Sequence, residues 1–211
     1  MSKLQFHLLN SDQLFVFERL KVFQREATLV GGTALMLQIG HRHSYDFDVF
    51  FNRNLKRNDL VKLRRVLEIK EVGLNTPEQI NIIVANNILI NLVFYPFHPL
   101  FQRIKTNSLA LLSVKDIAAD KAFTIGRRAA WRDYVDIFFL LKYKFVTISE
   151  ILKSAKKKFG FEFNERLFFE QLSYFRDIET TKISFIKKEV PDNEIKKFLI
   201  QTVKRSIPHI T

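Results

Sequence analysis

The sequence predicts an α+β chain, with a mixed β-sheet and flanking helices in the first half and an all-helical second half. Three observations predict it. Short apolar runs with alternating or β-branched composition recur up to Phe94, whereas helical spacing of apolar residues dominates beyond residue 100. Paired turn signals, Gly31-Gly32 and Asn86-Asn87, punctuate the first half. The run "YPFHPL", with Pro96 and Pro99, then closes it, so the division is expected as 1–98 and 99–211.

Each element has a local reason. Residues 11–24 carry apolar positions at helical spacing behind Ser11 or Asp12 as N-cap. Residues 27–30 form a short strand into the glycine pair, and Thr33 to Ile39 form a helix that Gly40 ends. Tyr45 to Phe51 alternates and is aromatic, which predicts a strand. A basic helix covers 58–67, and strands near 79–85 and 88–95 form a hairpin across Asn86-Asn87. Ser113 and Asp116 open a helix that runs to Ile125, and Gly126 separates it from a second ending near Tyr143. Further helices fit 149–159, 164–176 and 192–204.

Composition narrows the function. A 211-residue chain that is 47% hydrophobic can bury a core of its own. Its longest apolar run is broken by Asn86 and Asn87, which argues against a membrane span. The N-terminal apolar stretch is too short for a secretory signal, and the absence of cysteine suits a reducing cytosol. The formal charge of +12 is uneven, with net +3 over residues 1–100 and +9 over 101–211. A basic second half favours a polyanionic partner.

The chemistry concentrates in "LVGGTALMLQIGHRHSYDFDVFF", residues 29–51. Strand alternation sends Asp46 and Asp48 to one face and Phe47 to the other. Unpaired, the two carboxylates would repel; Mg²⁺ relieves this, because it is usually held by one or two carboxylates plus substrate phosphates. The bare backbone of Gly31-Gly32, opening a helix at Thr33, offers N–H groups and a positive dipole end to a phosphate. Together they suit metal-assisted phosphoryl or nucleotidyl transfer. Read as structure alone, the aspartates would be salt-bridged, with Arg42 as partner.

The block "VGGTAL…GHRHSYDFDVF" resembles the nucleotidyltransferase-fold signature, and within that superfamily the AbiEii toxin family of type IV toxin–antitoxin systems. A later block, "SVKDIAADKAFTIGRRAAWRDYVDIFFLL", is similar as well, so the resemblance spans residues 29–141, and 145–211 add nothing to it. It implies a nucleotidyltransferase-fold domain followed by a helical domain that completes the active-site cleft. It also implies Mg²⁺ at a two-metal site, held by Asp46 and Asp48. Gly31, Gly32, Thr33, Arg42, Ser44 and Asn91 would bind the nucleotide, while Asp46, Asp48, Lys121 and Asp133 would be catalytic. The implied substrate is an NTP whose NMP passes to an RNA, such as tRNA, or to a protein; the implied partner is a cognate antitoxin.

One departure stands out. Where nucleotidyltransferases commonly place a third carboxylate on a neighbouring strand, this chain has Asn91, which can neither act as a base nor add charge. The alternative is therefore an inactive nucleotidyltransferase fold that binds nucleotide or nucleic acid for regulation. The remaining features have plainer readings. His41 and His43 read as polar loop residues, Trp131 as core, and the lysines of "KSAKKKFG" as a solvated helix end.

Overall fold

A computed structural model describes residues 4–128 and 130–206. They divide into two compact units, the first ending at Ser113 and the second beginning at Val114.

In the first unit, α1 (Ser11–Arg19) runs on into a 3-10 turn over Leu20–Phe23. Asn10, rather than Ser11 or Asp12, is the N-cap. Its side chain accepts from the Gln13 N–H at 2.8 Å, and the Gln13 side chain accepts from the Asn10 N–H in return. β1 (Ala27–Val30) leads directly into α2 (Gly31–Ile39), which Gly40 ends in the left-handed region at φ 59°. β2 (Phe47–Phe51) and α3 (Arg57–Arg64) follow, and then β3 (Ile69–Asn75), β4 (Gln79–Val84), β5 (Leu89–Phe94) and β6 (Ala110–Leu111). Asn86 and Asn87 make the β4–β5 turn with φ of 62° and 59°, as their tolerance of positive φ predicts.

The six strands form one mixed sheet in the order β3-β4-β5-β2-β1-β6. The pairs β1/β2, β4/β5 and β3/β4 are antiparallel, whereas β2/β5 and β1/β6 are parallel. Two strands go beyond the sequence reading. β3 is a largely exposed edge whose side chains leave little periodic trace, and β6 is only two residues long. Because β6 pairs with β1, residues 99–113 belong with the sheet. Phe23 and Phe51 meet edge to face at 5.1 Å in the core below β2. Each is fully buried, which contributes about 1.5–3 kcal/mol per side chain.

The second unit consists of α4 (Val114–Ile125), α5 (Trp131–Lys142), α6 (Ile148–Phe159), α7 (Glu165–Ser173) and α8 (Asp192–Ser206). Trp131 is core, as its spacing predicts: it is buried and its indole N–H donates to Asp192 at 3.0 Å. Phe138 packs edge to face on Phe198, joining α5 to α8. The lysine run of α6 departs from expectation. Lys153, Lys156 and Lys157 are exposed, but Lys158 is buried, 2.6 Å from Asp120 and 3.7 Å from Asp116. Its position shares a helix face with Ile151 and Ala155, and that face is turned inward. No helix of the described residues is long and apolar enough to cross a membrane.

Candidate active site

Alternation along β2 buries Phe47, Val49 and Phe51 and leaves Asp48 half-buried on the other face. Asp46 lies just ahead of the strand, also half-buried. Strand register then fixes what surrounds Asp48. Its antiparallel neighbour is Val30, the residue before the glycine pair, and its parallel neighbour is Asn91. Gly31 therefore arrives beside the carboxylate at φ 69°, a left-handed conformation that suits glycine. A Cβ at Gly31 would lie 2.3 Å from Oδ2 of Asp48, and one at Gly32 would lie 2.7 Å from Oγ of Ser44 and 3.0 Å from Nη2 of Arg42. Both glycines are thus demanded by close approach, and the carboxylate of Asp48 sits against the Gly-Gly turn.

The start of α2 supplies the donors. Val30 occupies its N-cap position and offers no side-chain oxygen to the first-turn N–H groups. Those groups and the positive end of the helix dipole suit an anion, and phosphate above all. The Thr33 hydroxyl is engaged elsewhere. It donates to the backbone carbonyl of Asp46, tying α2 to the acidic segment. Gln13 donates to the carbonyl of Ser44 at 2.8 Å, and buried Arg42 donates to the carbonyl of His43 at 3.0 Å, so the connection from Gly40 to β2 is braced from within. His41, expected in a polar loop, is itself buried.

Asn91 stands where the sequence places it, and its Nδ2 donates to Oδ1 of Asp48 at 2.9 Å. The polar row continues across the sheet. Asn81 of β4 is the register partner of Asn91, and Gln79 donates to Oδ1 of Asn81 at 2.8 Å. Sequence reasoning passed over Gln79 and Asn81, although their alternation with Ile80 and Ile82 signals a shared polar face.

Whether a cation suits these groups follows from the donor set. The Asp48 carboxylate, set against a turn so tight that a Cβ would collide with it, suits a Mg²⁺ completed by phosphate oxygens, with Asp46 two residues ahead as the second expected ligand. Asn91 adds no third charge, and the described residues contain no cluster of three or more His, Asp or Glu able to hold a metal.

In the helical unit, Lys121 of α4 is buried between two carboxylates of α5, 2.6 Å from Asp133 and 2.6 Å from Asp136. Arg128 joins the group at 3.2 Å from Asp133. Burial acts to raise the Asp133 pKa, but Lys121 and then Arg128 outweigh it and hold the carboxyl below its ordinary range. Lys121 and Asp133, two of the expected site residues, are thus brought together. Asp136 was not among the expected site residues, yet its spacing of three from Asp133 puts both acids on one helix face.

Comparison with known proteins assigns the chain to a family. The family model for the nucleotidyl transferase AbiEii toxin of type IV toxin–antitoxin systems matches residues 68–205. The chain belongs to the AbiEii family. The match extends to α8, well past residue 141 where the recognisable motifs ended, and it begins after the Gly31-Gly32 and Asp46/Asp48 block. An uncharacterized protein of Aquifex aeolicus (strain VF5) is 30% identical over 153 residues, 71% of this chain and 73% of that protein. Among solved structures, a candidate nucleotidyltransferase from H. pylori superposes with a TM-score of 0.59 at 15% identity, covering 96% of this chain and 99% of its own. MenT4, a nucleotidyltransferase toxin from Mycobacterium tuberculosis H37Rv, superposes with a TM-score of 0.56 at 12% identity, covering 90% and 81%. At such identities the likeness speaks for the nucleotidyltransferase fold, which the mixed sheet and flanking helices of this AbiEii-family chain share.

Proposed function

We propose that this AbiEii-family protein is a Mg²⁺-dependent nucleotidyltransferase toxin that moves NMP from an NTP to an RNA acceptor, tRNA among the candidates. The observation that carries the reading is the carboxylate of Asp48 set against the Gly31-Gly32 turn at the uncapped start of α2. Backbone N–H groups of that turn would hold the triphosphate, with Arg42 and Ser44 packed behind Gly32. Asp46 and Asp48 would hold the cation, which when bound would polarise the reacting phosphate and offset charge on the leaving pyrophosphate. Asn91 would orient Asp48 through its amide N–H, because an amide cannot take a proton from an acceptor hydroxyl. The basic composition of the chain suits the phosphates of an RNA acceptor. Within the helical unit, Lys121 and Asp133 are the residues proposed to serve the reaction. A cognate antitoxin is the expected protein partner.

The test is transfer of label from α-labelled NTPs to total RNA in Mg²⁺. Activity that disappears in Asp46→Ala and Asp48→Ala supports the proposal. Transfer that survives both substitutions removes it.

The hydrogen bond from Asn91 to Asp48 favours a second reading, in which the fold binds Mg²⁺–NTP without transferring it. Nucleotide binding by calorimetry, with the transfer assay silent, would select that reading.

A further inference from the structure

Beside α3 the first unit contains a groove of about 500 Å³ that shares no residue with the candidate active site. That volume lies within the roughly 300–1,000 Å³ of typical ligand pockets. Leu55 and Ile80 are buried at its base, Leu60 is half-buried, and Val61 and Pro77 are exposed along it. Lys56, Arg57 and Arg64 line it as exposed cations, and no carboxylate does.

The charges are distributed in a telling way. The neighbouring cations are neutralised inside the fold: Arg53 by Asp59 and Glu26, and Lys62 by Glu26. Among the described residues, no such ion pair is formed by Lys56, Arg57 or Arg64. Thr76 is committed to the β3–β4 turn, where its hydroxyl accepts from the Gln79 N–H at 3.0 Å. The groove therefore presents an aliphatic surface flanked by three cations without internal counter-charges.

We infer that this groove docks a short acidic amphipathic segment of a partner protein, with aliphatic side chains against Leu60, Val61 and Ile80 and carboxylates toward Lys56, Arg57 and Arg64. The chemistry separates this occupant from the others. Single-stranded nucleic acid is gripped by stacking on aromatic rings, and none lines the groove. Addition of a strand to the sheet edge is opposed by the register shifts that interrupt β3 at Ile69/Glu71 and at Val72/Asn75. A segment carrying both aliphatic and acidic side chains uses both halves of the surface, in the manner of a helix laid into a groove. The inference concerns a partner and stands independently of nucleotidyl transfer.

The experiment is fluorescence anisotropy on the full chain, with a labelled helical peptide of leucine and glutamate as probe. A leucine–lysine peptide, a single-stranded RNA oligonucleotide and oleate serve as comparators. The Leu/Glu peptide is expected to bind the wild type and to weaken at least tenfold in Arg57→Glu/Arg64→Glu and in Val61→Asp, while the Leu/Lys peptide does not bind. All three positions are exposed, and unchanged melting of each variant establishes that the fold persists; Val61→Ser replaces Val61→Asp if the latter melts early. Absence of Leu/Glu binding to the wild type overturns the proposal, as does binding indifferent to the substitutions. So does RNA or oleate showing the same sensitivity in place of the peptide.

Discussion

Asn91 and Asp48 face each other across the parallel pair of β5 and β2, and the amide N–H of Asn91 donates to the carboxylate at 2.9 Å. Replacing the amide with a carboxylate removes that donor and sets two like charges side by side. Asn91→Asp should therefore destabilise the cation-free protein by about 1–3 kcal/mol. Mg²⁺ should reverse the loss, because a third carboxylate adds charge where the cation is proposed to sit. Thermal melting with and without Mg²⁺ reads this directly: the ion should raise the melting temperature of the variant more than that of the wild type. An equal rise in both would mean that position 91 lies outside the cation's reach.

Gly31→Ala offers a sharper probe of the turn. The substitution places a Cβ 2.3 Å from Oδ2 of Asp48 on backbone at φ 69°. Left-handed backbone alone costs an L-residue roughly 1–2 kcal/mol, and displacement of the carboxylate adds to it. The variant should melt lower and lose the melting shift that Mg²⁺–NTP gives the wild type. A retained shift would show that the triphosphate is held elsewhere.

Much of this was legible in the chain because the relevant forces are local. The alternation of "YDFDVF" set Asp48 apart from the buried phenylalanines, Gly40 ended its helix, and Asn86-Asn87 made the hairpin through their positive φ. Asn91 was placed beside the aspartates from the nucleotidyltransferase resemblance together with strand alternation. What escaped depends on partners distant in sequence. β6 pairs with β1, and Lys158 is buried beside Asp116 and Asp120 of α4. The N-cap was misplaced by one residue, since Asn10, Ser11 and Asp12 are all competent and the reciprocal bond from Gln13 decides among them. The family match reaches α6 to α8, whose residues carry no recognisable chemical motif.

The Lys121 group should behave as a balanced buried network. Lys121→Met takes away the cation that Asp133 and Asp136 share, with Arg128 still beside Asp133, and loss of one partner of a buried ion pair costs about 3–5 kcal/mol. Lys121→Met/Asp133→Asn/Asp136→Asn removes the opposing charges as well and should recover much of that stability. Urea unfolding of the two variants checks the pattern. If the triple variant is as unstable as the single one, packing rather than charge holds these helices. Loss of transfer activity in the stable triple variant would then speak for a role of the group in the reaction itself.

Acid should unravel the same network, and the sign follows from Asp133. Its carboxyl is held below the ordinary value of 3.8, with burial opposing the shift and Lys121, then Arg128, overcoming it. A carboxyl whose folded pKa lies below its unfolded value contributes stability above the unfolded value, about 3.9, and loses it as pH falls toward the folded one. Asp133→Asn removes that contribution at neutral pH, so the variant should melt well below the wild type at pH 7. The gap should hold down to about pH 5 and narrow as pH drops below about 4, where the carboxyl of the unfolded wild-type chain begins to take up a proton that the folded one still refuses. Melting curves of the two proteins across that range decide it: a gap that stays constant to the acid end would show that the side chain contributes through hydrogen bonding and shape, not through its charge.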